Sequence, residues 1–166
     1  QTTGISAAEQ KRWVAVAERL ERALSPDDQE TLLRSTQYAH YTSESIIRSI
    51  WRAMEQFGFG GGKVLEPGMG IGSFALAMPE GIYRASQYVG IEMDGPTARI
   101  AKLLSPRQTV NQADFTKQPL PRDYFDVAIG NPPFSRTIIE SDPEYAARRF
   151  SLHDYFFAKS IDRVRP

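Results

Sequence analysis

Residues 65–74 read Leu65-Glu66-Pro67-Gly68-Met69-Gly70-Ile71-Gly72-Ser73-Phe74. The short run Lys63-Val64-Leu65-Glu66 before it reads as a strand, and Ser73 to Met78 as the start of a helix. Gly68, Gly70 and Gly72 therefore occupy a strand-to-helix turn, where the lack of a side chain lets a ligand approach the backbone. Seven of the 12 glycines fall between Gly58 and Gly72. The first four, Gly58, Gly60, Gly61 and Gly62, form a flexible lead-in, and the last three have the different task of the turn.

Downstream, short apolar runs alternate with helical stretches. Tyr88 to Glu92 reads as a strand and Pro96 to Leu104 as a helix, with Asp94 before Gly95-Pro96 as its cap. Thr109 to Ala113 and Phe125 to Ile129 are further strands. Ser151 to Val164 is the last helix, opened by Ser151 and Asp154 in capping-box spacing. Strands alternating with helices predict an α/β fold with a parallel sheet and helices on both faces.

Upstream the reading is helical. Residues 7 to 24 place Trp13, Ala17, Leu20 and Leu24 along one stripe, and Ser25-Pro26-Asp27-Asp28 starts a second helix that runs to about Tyr38. His40-Tyr41-Thr42-Ser43 interrupts it. Thr42 or Ser43 caps a third helix carrying Ile46, Ile47, Ile50, Trp51, Met54 and Phe57, which Gly58 ends.

Composition excludes several chemistries. The 166 residues contain no Cys, which removes disulfides, thiolate metal sites and a cysteine nucleophile. Two His are too few for a His-rich metal site, so no metal is expected. No apolar run approaches the ~20 residues needed to cross a bilayer, and Gln1-Thr2-Thr3 opens no signal peptide. A cytoplasmic protein without a membrane partner is the expectation. Lys plus Arg and Asp plus Glu both total 20, so any nucleic-acid binding must be local rather than driven by a global field.

Two acids decide what the glycine loop suits. Glu66 ends the first strand, where a carboxylate can accept from an ammonium or from bound water. Glu92 ends the next strand, 20 residues beyond Gly72, and suits two ribose hydroxyls or is simply a solvated strand end. Acids in place of a phosphate cradle favour S-adenosylmethionine, with its ammonium and sulfonium, over a dinucleotide.

The tetrapeptide Asn131-Pro132-Pro133-Phe134 follows the strand at Phe125 to Ile129. Its prolines stop the ladder and fix the chain direction. In an open α/β sheet, ligands lie beyond the carboxyl ends of the strands, where these residues fall. An exocyclic base amine is a poor nucleophile because its lone pair is delocalised into the ring. The Asn131 side-chain oxygen and the Pro132 carbonyl can hold its two N–H bonds, Pro133 fixes that carbonyl, and Phe134 offers a stacking face worth ~1–3 kcal/mol. A rigid exit turn with a buried Phe is the structural alternative.

In order, Tyr41-Thr42, Glu66 to Gly72, Glu92, Asp114-Phe115 and Asn131 to Phe134 resemble the motifs of the class I S-adenosylmethionine-dependent adenine-N6 DNA methyltransferases of the gamma motif order. The resemblance covers roughly residues 38 to 166. It is strongest to methyltransferase domains that plasmids and phages carry in larger polypeptides, often with a helicase region. It implies a Rossmann-like sheet, S-adenosylmethionine as cofactor, DNA as partner and methylation of the adenine N6 amine. It assigns Tyr41, Thr42, Glu66, Pro67, Gly68, Gly70, Glu92, Met93, Asp114, Phe115 and Asn131 to the cofactor. Within that set, Met93 would pack on the cofactor adenine and Asp114 would bond its amine, beside Phe115. Asn131, Pro132, Pro133 and Phe134 are assigned to the target amine, and the segment from His153 to Phe157 to the target-base pocket. Asp114 as a turn cap and Met93 as plain core remain open.

The helical pattern makes residues 1–38 a helical extension, and the resemblance makes 39–166 a cofactor-binding domain. That domain is expected to be truncated after its fourth strand and following helix, without the closing strands and target-recognition region. Ser43 replaces the usual proline of the first motif. Methylation of an RNA base amine or a protein glutamine amide, a catalytically silent cofactor-binding or interaction module, and a dinucleotide oxidoreductase are the alternatives weighed. The segment from Ser135 to Phe150, with Arg136, Arg148 and Arg149, reads as a mobile loop beside the target or as a solvated linker.

Overall fold

The computed structural model describes residues 42–166 together with 14, 18, 22, 25–28 and 30. Two compact units divide the chain, Gln1–Tyr38 and Ala39–Pro166. In the first, Val14, Glu18, Arg22, Pro26, Asp27, Asp28 and Glu30 are helical. Ser25 Oγ accepts from the Asp28 amide at 3.2 Å, which is the capping expected where proline opens a helix. The expected stripe of Trp13, Ala17, Leu20 and Leu24 lies outside the described residues, as do His40 and Tyr41.

In the second unit, helix α1 (Glu44–Gln56) leads into strand β1 (Lys63–Pro67). Then follow α2 (Ser73–Leu76), α3 (Glu80–Ala85), β2 (Gln87–Glu92), α4 (Gly95–Leu104), β3 (Thr109–Gln112), β4 (Val127–Ala128), a 3-10 turn (Ala146–Arg148) and α5 (Leu152–Arg163). Gly58 at φ 88° ends α1. Its amide bonds to the Glu55 carbonyl and the Phe59 amide to Met54, the two bonds of a Schellman stop. Asp94 caps α4 as expected, accepting from the Thr97 amide at 2.9 Å. At α5 the Ser151 hydroxyl instead donates to Asp154 Oδ2 at 2.5 Å, and neither side chain caps the backbone. The two side chains bond to each other in place of the backbone amides that a capping box would satisfy.

All four strands run parallel in the order β3-β2-β1-β4. Both faces of this sheet are covered, so successive residues of β1 enter different cores. Val64 joins Ile47, Trp51, Phe74, Ile82, Tyr88, Ala98 and Val110 on the α1–α4 side. Leu65 joins Ile91, Phe115, Phe125, Tyr145, Tyr155 and Phe156 on the α5 side. Trp51 is fully buried and its Nε1 donates to the Phe74 carbonyl at 2.9 Å, tying α1 to α2.

β4 is shorter than the five-residue strand expected at Phe125 to Ile129. Asp126 Oδ2 accepts from the Lys63 amide at 2.7 Å, so a side chain takes the bond that a ladder carbonyl would have made. Phe125 instead forms a parallel bridge with Val164, just after α5.

Candidate cofactor and target site

The strand order reverses between β1 and β4, because β2 and β3 lie on one side of β1 and β4 on the other. At such a switch point the carboxyl ends of adjacent strands open a crevice. β1 delivers the glycine loop there and β4 delivers Gly130 and Asn131. Gly68, Gly70 and Gly72 have φ of 66°, 58° and 85°, left-handed values that favour glycine. A Cβ on Gly68 would lie 3.5 Å from Phe156 and 3.7 Å from Pro133. One on Gly130 would lie 3.4 Å from Glu66 Cγ. The two motifs, far apart in sequence, thus lie close enough that a single added methyl group on either glycine would touch the other.

Glu66 forms the floor of the crevice. Its side chain is 2% exposed and accepts from Tyr88 Oη at 2.5 Å, across the neighbouring strand. Burial pushes its pKa up to about 8; the Tyr88 bond opposes this and the nearby Glu92 adds to it. Glu66 is therefore mostly a neutral acid at pH 7. Tyr88, itself raised well above the usual tyrosine value by burial, is a site residue that sequence reasoning missed. It shares a sheet face with Glu66 because Glu66 registers with Gly90, two residues beyond Tyr88.

Glu92 binds the loop rather than standing in solvent. Oε2 accepts from the Gly70 amide at 2.8 Å and Oε1 from the Asp94 amide at 2.8 Å. Burial raises its pKa, against the two backbone bonds that favour the charged form. Each carboxylate oxygen retains a further lone pair for a ligand hydroxyl. Met93, expected as a packing surface or as core, is 70% exposed and so is not core.

Asp114 follows β3. Oδ1 accepts from the Thr116 amide at 2.9 Å and from Thr116 Oγ1 at 2.8 Å, while Lys117 lies 3.4 Å from Oδ2. Burial works to raise its pKa, but these partners outweigh it and leave the carboxylate below its usual range. It caps a turn, just beyond the end of the strand that pairs with β2 up to Glu92. Phe115 is 3% exposed, its ring against Phe156 at 4.7 Å between centroids.

On the target side, Asn131 and Pro132 are half-buried, whereas Pro133 and Phe134 are exposed. Phe134 is 67% exposed, with the His153 ring 6.3 Å away, so it is not the buried Phe of a simple exit turn. Of the first motif, Thr42 is half-buried just before α1, and Tyr41 lies outside the described residues.

The segment from Ser135 to Phe150 is largely exposed, as a solvated linker would be, but it is anchored at several points. Ile138 bridges Ser151, and the Ile139 amide bonds to the Phe150 carbonyl. Asp142 and Tyr145 are buried; Tyr145 Oη donates to Asp162 at 2.6 Å, and Glu144 pairs with Arg122 and Arg163. Sequence reasoning also missed Lys159, 3% exposed on α5. The signal was present, since Lys159 falls four residues after Tyr155 on the apolar stripe.

Residues 65–146 match the methyltransferase domain family. No curated protein sequence matches the chain. Among solved structures, the chain is similar to the type I restriction-modification system methyltransferase subunit of Streptococcus thermophilus, with a TM-score of 0.59 and 19% identity over 77% of this chain and 32% of that one. It is similar to a Pyrococcus horikoshii protein assigned as an RNA methyltransferase, at 0.57 and 16%, over 75% and 58% of the two chains. A third likeness is to a Methanococcus maripaludis protein assigned as an S-adenosyl-L-methionine-dependent methyltransferase, at 0.52 and 14%, over 82% and 57%. The chain has a Rossmann-like methyltransferase fold. It spans less than two thirds of each of these three structures.

The match of residues 65–146 to the methyltransferase domain family implies S-adenosylmethionine as cofactor, and the donor set fits it. Two carboxyls, Glu66 and Glu92, lie at the ends of β1 and β2 beside the glycine loop, and a cationic amino acid and a ribose both need such acceptors. The loop from Gly68 to Gly72 contains no Lys or Arg and is flanked by these two acids, so its local charge suits a cationic ligand better than a pyrophosphate. Among the described residues, no group of three His, Asp or Glu could hold a metal ion, and no helix is long and apolar enough to cross a membrane.

Proposed function

We propose that this methyltransferase domain methylates an exocyclic amine of a nucleic-acid base, with adenine N6 in DNA as the substrate. The observation that carries the reading is the approach of Asn131 to Phe134 to the glycine loop at the switch point, where a Cβ added to Gly68 would lie 3.7 Å from Pro133. When bound, S-adenosylmethionine supplies an electrophilic methyl group beside that junction.

The chain's own residues would do the rest. Glu66 and the loop amides take the amino-acid end, Glu92 the ribose hydroxyls, and Asp114 the amine of the cofactor's adenine, with Met93 and Phe115 flanking the ring. At the target, the Asn131 side-chain oxygen and the Pro132 carbonyl accept the two N–H bonds of the amine. This draws its lone pair out of conjugation and towards the methyl donor. Phe134, exposed on the rim, stacks the extruded base. Asparagine is too weak a base to abstract a proton, so rate comes from positioning and from stabilising the charge that develops on nitrogen. That nitrogen loses its extra proton to water after transfer.

Radiolabelled methyl transfer tests this with the full-length native protein, offered DNA, RNA and protein in separate assays. Label in DNA as N6-methyladenine, reduced at least 100-fold by Asn131→Ala, is expected. Label in RNA or in a glutamine amide alone moves the substrate to that class. Cofactor binding with no transfer to any of the three identifies a silent binding module.

A further inference from the structure

We propose that Lys159 is a positioning residue for cofactor selection, holding the turn from Asp114 to Thr116 so that Asp114 is aimed at the cofactor's base. This rests on reading Asp114 as the acceptor of that base's amine.

The Lys159 ammonium has three N–H groups, and each has a partner. Nζ donates to the Phe115 carbonyl at 2.8 Å, to Asp142 Oδ2 at 3.0 Å and to Tyr155 Oη at 2.9 Å. Tyr155 Oη donates to the same Asp142 oxygen at 2.6 Å, and Asp142 Oδ1 accepts from the Glu144 amide at 3.1 Å. One helix thereby grips both the residue after Asp114 and the strap that crosses it. From the strap a second route reaches the same carboxylate. Ser141 Oγ donates to Thr116 Oγ1 at 3.0 Å, and Thr116 Oγ1 donates to Asp114 Oδ1 at 2.8 Å.

A stability role alone explains this poorly. Burying an ammonium and a carboxylate costs several kcal/mol per ion, and apolar pairs of similar volume often serve a core as well or better. What an apolar pair cannot do is hold the Phe115 carbonyl in a set direction. That carbonyl belongs to the peptide between Phe115 and Thr116, whose amide is one of the donors that orient Asp114. The ion pair therefore sets the direction of the carboxylate, which a ligand would read as specificity.

The test compares the affinity of the full chain for S-adenosylhomocysteine and S-inosylhomocysteine, which differ in an amine against a carbonyl at the base. The wild type is expected to favour the amine. Asp114→Ala should abolish the preference. Lys159→Met should reduce it at least tenfold, with little change in affinity for the inosine analogue. A merely structural lysine would weaken both ligands equally. If Asp114→Ala shifts the ratio and folded Lys159→Met does not, the positioning role is overturned while the Asp114 reading stands. If Asp114→Ala leaves the ratio unchanged, both are overturned. Should Lys159→Met fail to fold, Ser141→Ala and Thr116→Val carry the test, with a severalfold loss of preference expected; an unchanged ratio in both overturns the proposal.

Discussion

Tyr88 Oη donates to Glu66 Oε2 at 2.5 Å across two parallel strands, in the floor of the crevice beneath the glycine loop. The bond satisfies a carboxyl that burial has made neutral near pH 7.

Stability should therefore fall with rising pH over a defined window. Glu66 has a folded pKa of about 8 against an ordinary value of 4.5, so the folded state holds the extra proton between them. Its contribution is fully present below pH 4.5 and is lost as pH rises through about 8, with a slope of up to about 1.4 kcal/mol per pH unit. Asp114 and Asp142, whose folded pKa values are lowered, act oppositely and only on the acid side. Denaturant unfolding from pH 5 to 8.5 should show the decline, and Glu66→Gln should flatten it. Parallel curves for the two proteins would refute the assignment.

Proton release on cofactor binding follows from the same neutral acid. An ammonium docked on Glu66 pulls the carboxyl into its charged form, so binding at pH 7 should release about one proton. Calorimetry in buffers of different ionisation enthalpy reads this directly. Glu66→Gln should bind with no release.

Glu92 should couple cofactor affinity to loop order. Glu92→Ala removes acceptors for both the Gly70 and Asp94 amides along with any for ribose. At roughly 1.5–3 kcal/mol for a hydrogen bond to a charged group, a 10- to 100-fold loss of affinity is expected. Hydrogen exchange at the Gly70 amide should quicken even without ligand, and unchanged exchange would show that the bond is not holding the loop.

Gly70 separates conformation from crowding. No atom lies within 4 Å of the position a Cβ would take, so Gly70→Ala is penalised by its φ of 58° alone. The expected loss is about 1 kcal/mol in unfolding measurements. At Gly72 an added Cβ would also meet Met69 at 3.3 Å, so Gly72→Ala should cost more.

The features legible in the sequence were those written locally. Gly68 to Gly72 after an apolar run forces a turn, and two prolines after Asn131 force a strand to stop, whatever surrounds them. Asp94 before Gly95-Pro96 announces its own cap. Less visible were features that need two distant segments. Tyr88 and Glu66 pair only through strand register, and Asp126 shortens β4 only because Lys63 lies beside it. The six-residue α3 is too short to show a helical period. The strap from Ser135 to Phe150 looked like a loop because its composition is polar; its order comes from Lys159, Tyr155 and Arg163 on α5. A lysine inside an apolar stripe was the one local sign of it.

The bridge between Phe125 and Val164 occupies only the first step along the outer side of β4. Beyond it, Val127 and Ala128 have no second strand among the described residues, and Phe157 and Ile161 stand 54% and 68% exposed nearby. An open strand edge next to apolar side chains is a template for pairing with another chain. The outer side of β4 is therefore the place in this sheet where a further strand, from the same polypeptide or another, can add its ladder bonds and cover Phe157 and Ile161.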